Sequence, residues 1–404
     1  MNKRITFSEA GSGKGFLTLL AITGSMALVG FLSFLFMEHS GHHVTGMNNQ
    51  VVWGLPHVFA IFMIVAASGI ANIGSIGTVF GKKIYQPLGR LSLVTAIALL
   101  LGGLMVLVLD LGHPDRLIVA MTTFNFKSIF TWNILLYNGF LVAMGFYLWT
   151  MMDRSKLAKS LYKPAGYFAF VWRIVLTAGT GSILGYLVAR QYYDAAIMAP
   201  LFITLSYAVG TAIYTLVLMA AYKWTGRDLG DKVLNRLRYT LAIFIAAVLF
   251  FEIVRHLTNL YATEHHGIEA FILRDGGSIT SIFWYGQILL GTLVPLFLIW
   301  CKKLKNNRMA LGAAAVLAIV GGVSLIYVAL IGGQSYPLVM FPNANVESTF
   351  FDGVVVSYVP SIYEFMLGIG GVGVALLVVL LGTKVLRLLP DSLADSVTDP
   401  HHKS

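Results

Sequence analysis

Glu252, Arg255 and His256 fall within five residues of one another, directly after the apolar run "LAIFIAAVLFF". On a helix Glu252 shares a face with Arg255 at i, i+3 and with His256 at i, i+4. An ionisable side chain inside a membrane span costs ~2.5–3.5 kcal/mol and as a rule faces a cavity or a partner. Three further positions break long apolar runs in the same way: His57 after "WGLP", Asp110 at the head of "DLGHPDR", and Glu364 in "YEFMLG". Three acids and two imidazoles are groups that can hold and pass protons. A neutralised ion pair stapling two helices would account for Glu252–Arg255 alone. Six such groups at one depth point instead to a shared polar pocket.

These groups need a scaffold of membrane helices. Hydrophobic residues make up 57% of the 404-residue chain and charged ones only 11%, against roughly a quarter charged in soluble domains. Runs of about 20 apolar residues predict spans near 15–37, 51–80, 89–110, 130–152, 164–189, 199–222, 238–260, 279–300, 309–332 and 360–388, forming one membrane domain over 1–404. The expected fold is all-α and polytopic, with spans 2–5 and 6–9 as two four-helix bundles and spans 1 and 10 flanking them. Gly77 and Gly81, four apart, read as a small-residue helix face, and Gly368, Gly370, Gly371 and Gly373 read as close-packing positions in the last span.

Of the 28 Lys and Arg residues, 22 fall in the termini and alternate loops, including "DRSKLAKSLYK", "KWTGRDLGDKVLNRLR" and "CKKLKNNR". The positive-inside rule makes that face cytoplasmic and places both termini there. The net charge of +10 is therefore a topology signal and not a nucleic-acid surface. The first apolar run, Gly15 to Met37, is too long for a signal-peptide core and lacks a small-residue cleavage site, so none is expected. Longer connections, 38–50, 111–129, 261–278 and 333–359, lie on the opposite face and suit the docking of a periplasmic partner.

All the ionisable positions sit in the outer half of the spans. A pocket there suits a quinone head group, which needs hydrogen-bond donors for two carbonyls and acid–base groups for two protons. Trp53, Phe130, Trp132, Tyr137 and Tyr363 lie near these residues in sequence. A b-type haem held by His57 and His256 is the competing cofactor, and a proton or ion translocator is the competing function. The single Cys301 cannot hold an iron–sulfur cluster, and no CxxCH motif occurs. Such centres would belong to a partner.

The stretch "LDLGHPDRLIVAMTTFNFKSIFTW", residues 109–132, resembles the signature of the NrfD/PsrC family of quinone-interacting membrane subunits. Asp110, Leu111, Gly112, Pro114 and Arg116 match its D-L-G-x-P-x-R element. Phe124, Asn125, Ser128 and Trp132 match the element that leads into the next helix. "WGLPHVFAIFMIVAASG" looks like the family's Trp-Gly-led helix, although His57 stands where an amide or other polar group is frequent. The length, "RHLTNLY" and "IFWYGQILLGTLVPL" resemble the longer branch, nearest its DsrP-type subunits. The resemblance implies a subunit of a respiratory or sulfur-metabolism complex in the bacterial inner membrane, without haem or cluster of its own and inactive alone. It would exchange electrons between menaquinone or ubiquinone and a periplasmic ferredoxin-like iron–sulfur protein. On this reading His57, Asp110, Trp132 and Tyr137 line the head-group pocket. Glu252, Arg255, His256 and Glu364 then form a proton relay or second polar site.

Overall fold

The computed structural model describes residues 5–11, 13–338 and 353–398. Lys3, Arg4 and Lys403 lie outside the described residues, as do residues 339–352 of the longest connection. Among the described residues, ten helices are long and apolar enough to cross a membrane: α1 (Lys14–Ser40), α2 (Leu55–Thr78), α3 (Lys83–Leu109), α4 (Ile129–Met152), α5 (Lys156–Gly185), α6 (Met198–Thr225), α7 (Asp231–Tyr261), α8 (Ser278–Trp300), α9 (Arg308–Ser335) and α10 (Ile362–Val385). The chain is a multi-pass integral membrane protein.

The apolar run locates each span, but polar chemistry sets its ends. Helix α5 begins at Lys156, ahead of the expected start, and carries Pro164 inside. The Ser155 side chain accepts from the Ala158 N–H and caps it. Helix α7 begins at Asp231 because Arg238 is buried and donates to the Leu304 and Asn307 carbonyls, so its polar first turns pack on protein. Ser361 and Glu364 form a reciprocal capping box at the start of α10.

The helices form two four-membered rings. In one, α2 packs on α3 and α5, and α4 packs on the same two; in the other, α6 packs on α7 and α9, and α8 on the same two. The rings meet where α2 crosses α6. There the backbones touch at Gly69 and Gly210, and a methyl on either would overlap the other helix's backbone. Helix α10 packs on α2 and α3 and holds α1 on its outer side. Gly30 and Gly370 face each other at that crossing, and Gly371 meets α3 at Gly102. Gly77 and Gly81 do not form a helix face. The helix ends at Thr78, Gly77 packs against the turn at Gln86, and Gly81 adopts φ +64 in the connection.

Residues Phe7–Ser8 (β1) and Leu389–Pro390 (β2) pair antiparallel, so the two ends of the chain lie together on the basic face. Arg227 donates to the Leu389 and Pro390 carbonyls and to that of Glu9. Arg90 donates to the carbonyls of Arg387 and Met151.

Candidate functional site

His57 stands in the first turn of α2, and Asp110 is the residue that closes α3. Gly112 at φ +70 turns the chain away behind it, with the His42 ring packed beside that glycine. His57 Nδ1 lies 3.0 Å from Asp110 Oδ2; the imidazole is 21% exposed and the carboxylate 1%. The pair is within ion-pair distance but off hydrogen-bond alignment, so both Asp110 oxygens lack a hydrogen-bond partner among the described residues. Leaving a buried acceptor in that state is costly. The pair forms the floor of an outward-opening depression of about 410 Å³, lined also by His42, His43, Met47 and Asn48.

Trp53 does not line the depression but packs beside His57. Its ring lies 6.4 Å from that of His57, 6.1 Å from Phe130 and 6.5 Å from Tyr193. The Trp53 backbone is held from the other bundle. The Gln334 side chain at the end of α9 accepts from the Val52 and Trp53 N–H groups and donates to the Trp53 carbonyl. Gln50 donates to the Gln334 and Ser335 carbonyls, and Arg190 donates to the carbonyls of Gln50 and Gln334.

Glu364 belongs to this first site and not to the group at 252–256. It is fully buried and accepts from the Gly46 and Ser361 N–H groups and from the Tyr358 hydroxyl. Tyr358 in turn accepts from the Leu55 N–H at the start of α2. Burial, with the Glu364 carboxylate beside it, pushes the Tyr358 hydroxyl well above its ordinary range, so it remains a donor. Trp132 and Tyr137 do not line the depression at His57. Trp132 is half exposed and donates to the Phe126 carbonyl, and Tyr137 is buried against Thr180 on α5. Phe130, near the start of α4, is the ring that reaches Trp53. Tyr363 stacks on Phe36 of α1.

Glu252, Arg255 and His256 do come together, with partners that sequence reading missed. Arg255 donates to Glu252 at 2.9 Å and to the Tyr192 hydroxyl at 2.5 Å. His256 Nδ1 lies 2.7 Å from Glu269, and Asn259 donates to the other oxygen of Glu269 at 2.8 Å. Gln287 donates to Glu252 at 2.9 Å from the π-helical stretch Ile282–Leu293 of α8, and such wide turns are frequent at functional positions. Asn259 was legible as the i+7 position of the Glu252 face. Glu269 was not, because it lies in a connection that reads as solvated and is in fact wholly buried. The group is neutral with a proton on His256 and carries one negative charge without it. Glu252 and Gln287 also border a cavity of about 20 Å³ inside the second bundle, room for one water.

The first bundle holds an unexpected buried cation. Arg173, near the middle of α5, is wholly enclosed; it donates to Asn72 at 2.7 Å and lies over the rings of Phe170 and Tyr207. Ser68 and Thr177 bond each other on its outer side, and Thr78 bonds Tyr147 and Tyr162 on its inner side. Among the described residues, no group of three or more His, Cys, Asp or Glu side chains is placed to hold a metal ion.

Eight spans in two rings with two more flanking them, ionisable residues gathered near one face, and no soluble domain among the described residues define a helical membrane subunit. The chain belongs to the polysulphide reductase NrfD family, whose model matches residues 43–337. It is 24% identical to the Hdr-like menaquinol oxidoreductase integral membrane subunit of Archaeoglobus fulgidus, covering 96% of this chain and 98% of that one. It is 25% identical to a selenate reductase subunit of Mesobacillus selenatarsenatis, over 90% and 92% of the two chains. The menaquinone reductase integral membrane subunit of Nitratidesulfovibrio vulgaris is 23% identical, over 87% and 86%.

Proposed function

We propose that this chain is the quinone-reactive membrane subunit of a redox complex, with the head-group site at His57 and Asp110. The observation that carries the reading is the buried Asp110 carboxylate, held 3.0 Å from His57 with its oxygens free to accept, at the floor of an outward-opening depression. The two relatives whose names specify menaquinol or menaquinone support it. His57 turns Nδ1 toward Asp110, and as an imidazolium it can donate from Nε2 to a quinone carbonyl. Asp110 stabilises the imidazolium that forms whenever His57 takes up a proton. His42 and His43 border the same depression and can pass that proton to the outer water.

A bound quinone supplies the two-electron chemistry, and a partner must supply or remove the electrons. The partner we propose is a ferredoxin-like iron–sulfur protein on the outer face, with this chain in a bacterial inner membrane, both termini cytoplasmic, and its complex of the DsrP-containing type. Glu252, Arg255 and His256, joined by Glu269, form the second polar site, where a proton can be held between His256 and its carboxylates. Glu364 supports the first turn of α2 through Tyr358. Both ring nitrogens of His256 face carboxylates, Nδ1 toward Glu269 and Nε2 toward Glu252, which favours proton handling over haem ligation there.

Titration of the purified chain with a menaquinone analogue, followed by quenching of Trp fluorescence, tests the reading. His57→Ala and Asp110→Asn are each expected to weaken binding about tenfold or more, the loss of one charge-assisted hydrogen bond. Unchanged saturable quenching in both variants would place the quinone elsewhere.

A further inference from the structure

On the basic face a groove of about 530 Å³ runs between α1, α6 and α10. Its walls are Phe16 and Leu19 of α1, Val217 of α6, and Leu376, Val379 and Leu380 of α10. From Gly13 at the mouth to Thr23 at the deep end, it follows α1 for about 15 Å at 1.5 Å per residue. The groove exists because α1 packs mainly on α10 and meets α6 near its start, where Gly15 adjoins Trp224. Its three hydroxyls are already committed: Thr23, Thr225 and Thr383 donate to the carbonyls of Leu19, Ala221 and Leu380 in their own helices. Beyond the Trp224 indole and Arg227 near the mouth, the lining offers no unbonded side-chain donor for a ketone oxygen, and the deeper part suits plain hydrocarbon.

The mouth is cationic. Arg227 lines it, hydrogen-bonded to three backbone carbonyls and 3.9 Å from the Asp391 carboxylate. Lys14, Lys223 and Lys384 are the chain neighbours of the lining residues Gly13, Trp224 and Thr383. The Trp224 indole nitrogen sits where a side chain on Gly15 would begin.

We infer that this groove binds one anionic phospholipid, with an acyl chain along α1 and the headgroup among Lys14, Lys223 and Arg227. An apolar slot opening at the membrane surface beneath a basic rim matches both ends of that molecule. The site lies on the face away from His57 and does not depend on what the outer pocket binds. The lipid would fill the gap between α1 and the second bundle.

Phospholipids with brominated acyl chains test the assignment, because bromine quenches nearby indoles. The signal of Trp224 is the difference between the full chain and Trp224→Phe. Brominated phosphatidylglycerol should half-quench it at a mole fraction about fivefold lower than brominated phosphatidylcholine. Ala220→Phe, which narrows the groove from an exposed position on α6, should abolish saturable quenching while leaving thermal melting unchanged. Lys14→Gln with Lys223→Gln should keep quenching but erase the headgroup preference. Equal quenching by the two lipids in the unmutated chain overturns the inference. So does a preference that survives Ala220→Phe, or displacement of the brominated lipid by equimolar menaquinone, which would assign the groove to a quinone tail.

Discussion

At the scale of single residues, carboxylates with similar sequence settings do different work. Glu364 is an N-terminal acceptor collecting three donors, whereas Glu269 is the counter-charge of a histidine. Glu269→Gln leaves His256 with Glu252, 3.5 Å from Nε2, as its remaining carboxylate, and removal of one partner from a buried pair costs about 3–5 kcal/mol. Glu364→Gln replaces charge-assisted hydrogen bonds by neutral ones and should cost less, about 1–2 kcal/mol. Thermal melting of the two purified variants checks the order. Quinone affinity should fall less in Glu364→Gln than in His57→Ala, because Glu364 acts on α2 only through Tyr358. The capping role was legible, since Ser361-Ile-Tyr-Glu364 has the spacing of a capping box, but an acid in an apolar run reads first as a functional charge. The partners of His57 and Arg255 were legible as residue types, because buried charge demands compensation. Gln50, Arg190 and Gln334 were not, because amides and an arginine in surface connections carry no signal until the loops fold over one another.

The helical elements were nearly all legible, since a span is fixed by one quantity, the length of the apolar run. Their ends shifted where protein, not lipid, satisfied the backbone, as at Ser155 and Arg238. Pairing was legible only in part. Glycines in the last span marked a close crossing, but the tightest crossing of all, Gly69 against Gly210, gave no spacing pattern because its two halves lie on different helices. Gly210→Ala inserts a methyl into the backbone of α2. Overpacking of this kind costs about 1–3 kcal/mol or more, and here it would push the two bundles apart. Size-exclusion profiles and melting of Gly210→Ala should show a destabilised or polydisperse chain. Gly145→Ala, with open space around it, should behave as the unmutated protein.

The whole molecule is electrically lopsided, with basic loops and both ends on one face. Cys301 opens one of those loops and is the single cysteine of the chain. A membrane-impermeant maleimide should therefore label it in inverted vesicles and not in intact spheroplasts; the reverse pattern would invert the orientation. The strap at that face should also respond to acid. Hydrogen bonds from Ser8 and Thr6 hold the Asp391 carboxyl below its ordinary range, and the Arg387 side chain does the same for Glu9. Because both values are depressed in the folded chain, the stabilisation is present above the ordinary carboxylate range and is lost as pH falls through and below about 4. Hydrogen exchange in residues 5–11, corrected for intrinsic rate, should quicken at pH 3 relative to pH 7.

The contact of α1 with α10 has a consequence for the order in which the protein is made. Among the ten spans, α1 leaves the ribosome before the other nine, and its main packing partner, α10, leaves after them. Through nearly the whole of synthesis α1 can only wait in the bilayer, and β1 has no strand to meet until β2 has been translated. The closing of both pairs therefore marks the completion of the ten-span bundle. A product cut short anywhere before α10 would carry an unanchored first helix, for membrane quality control to find.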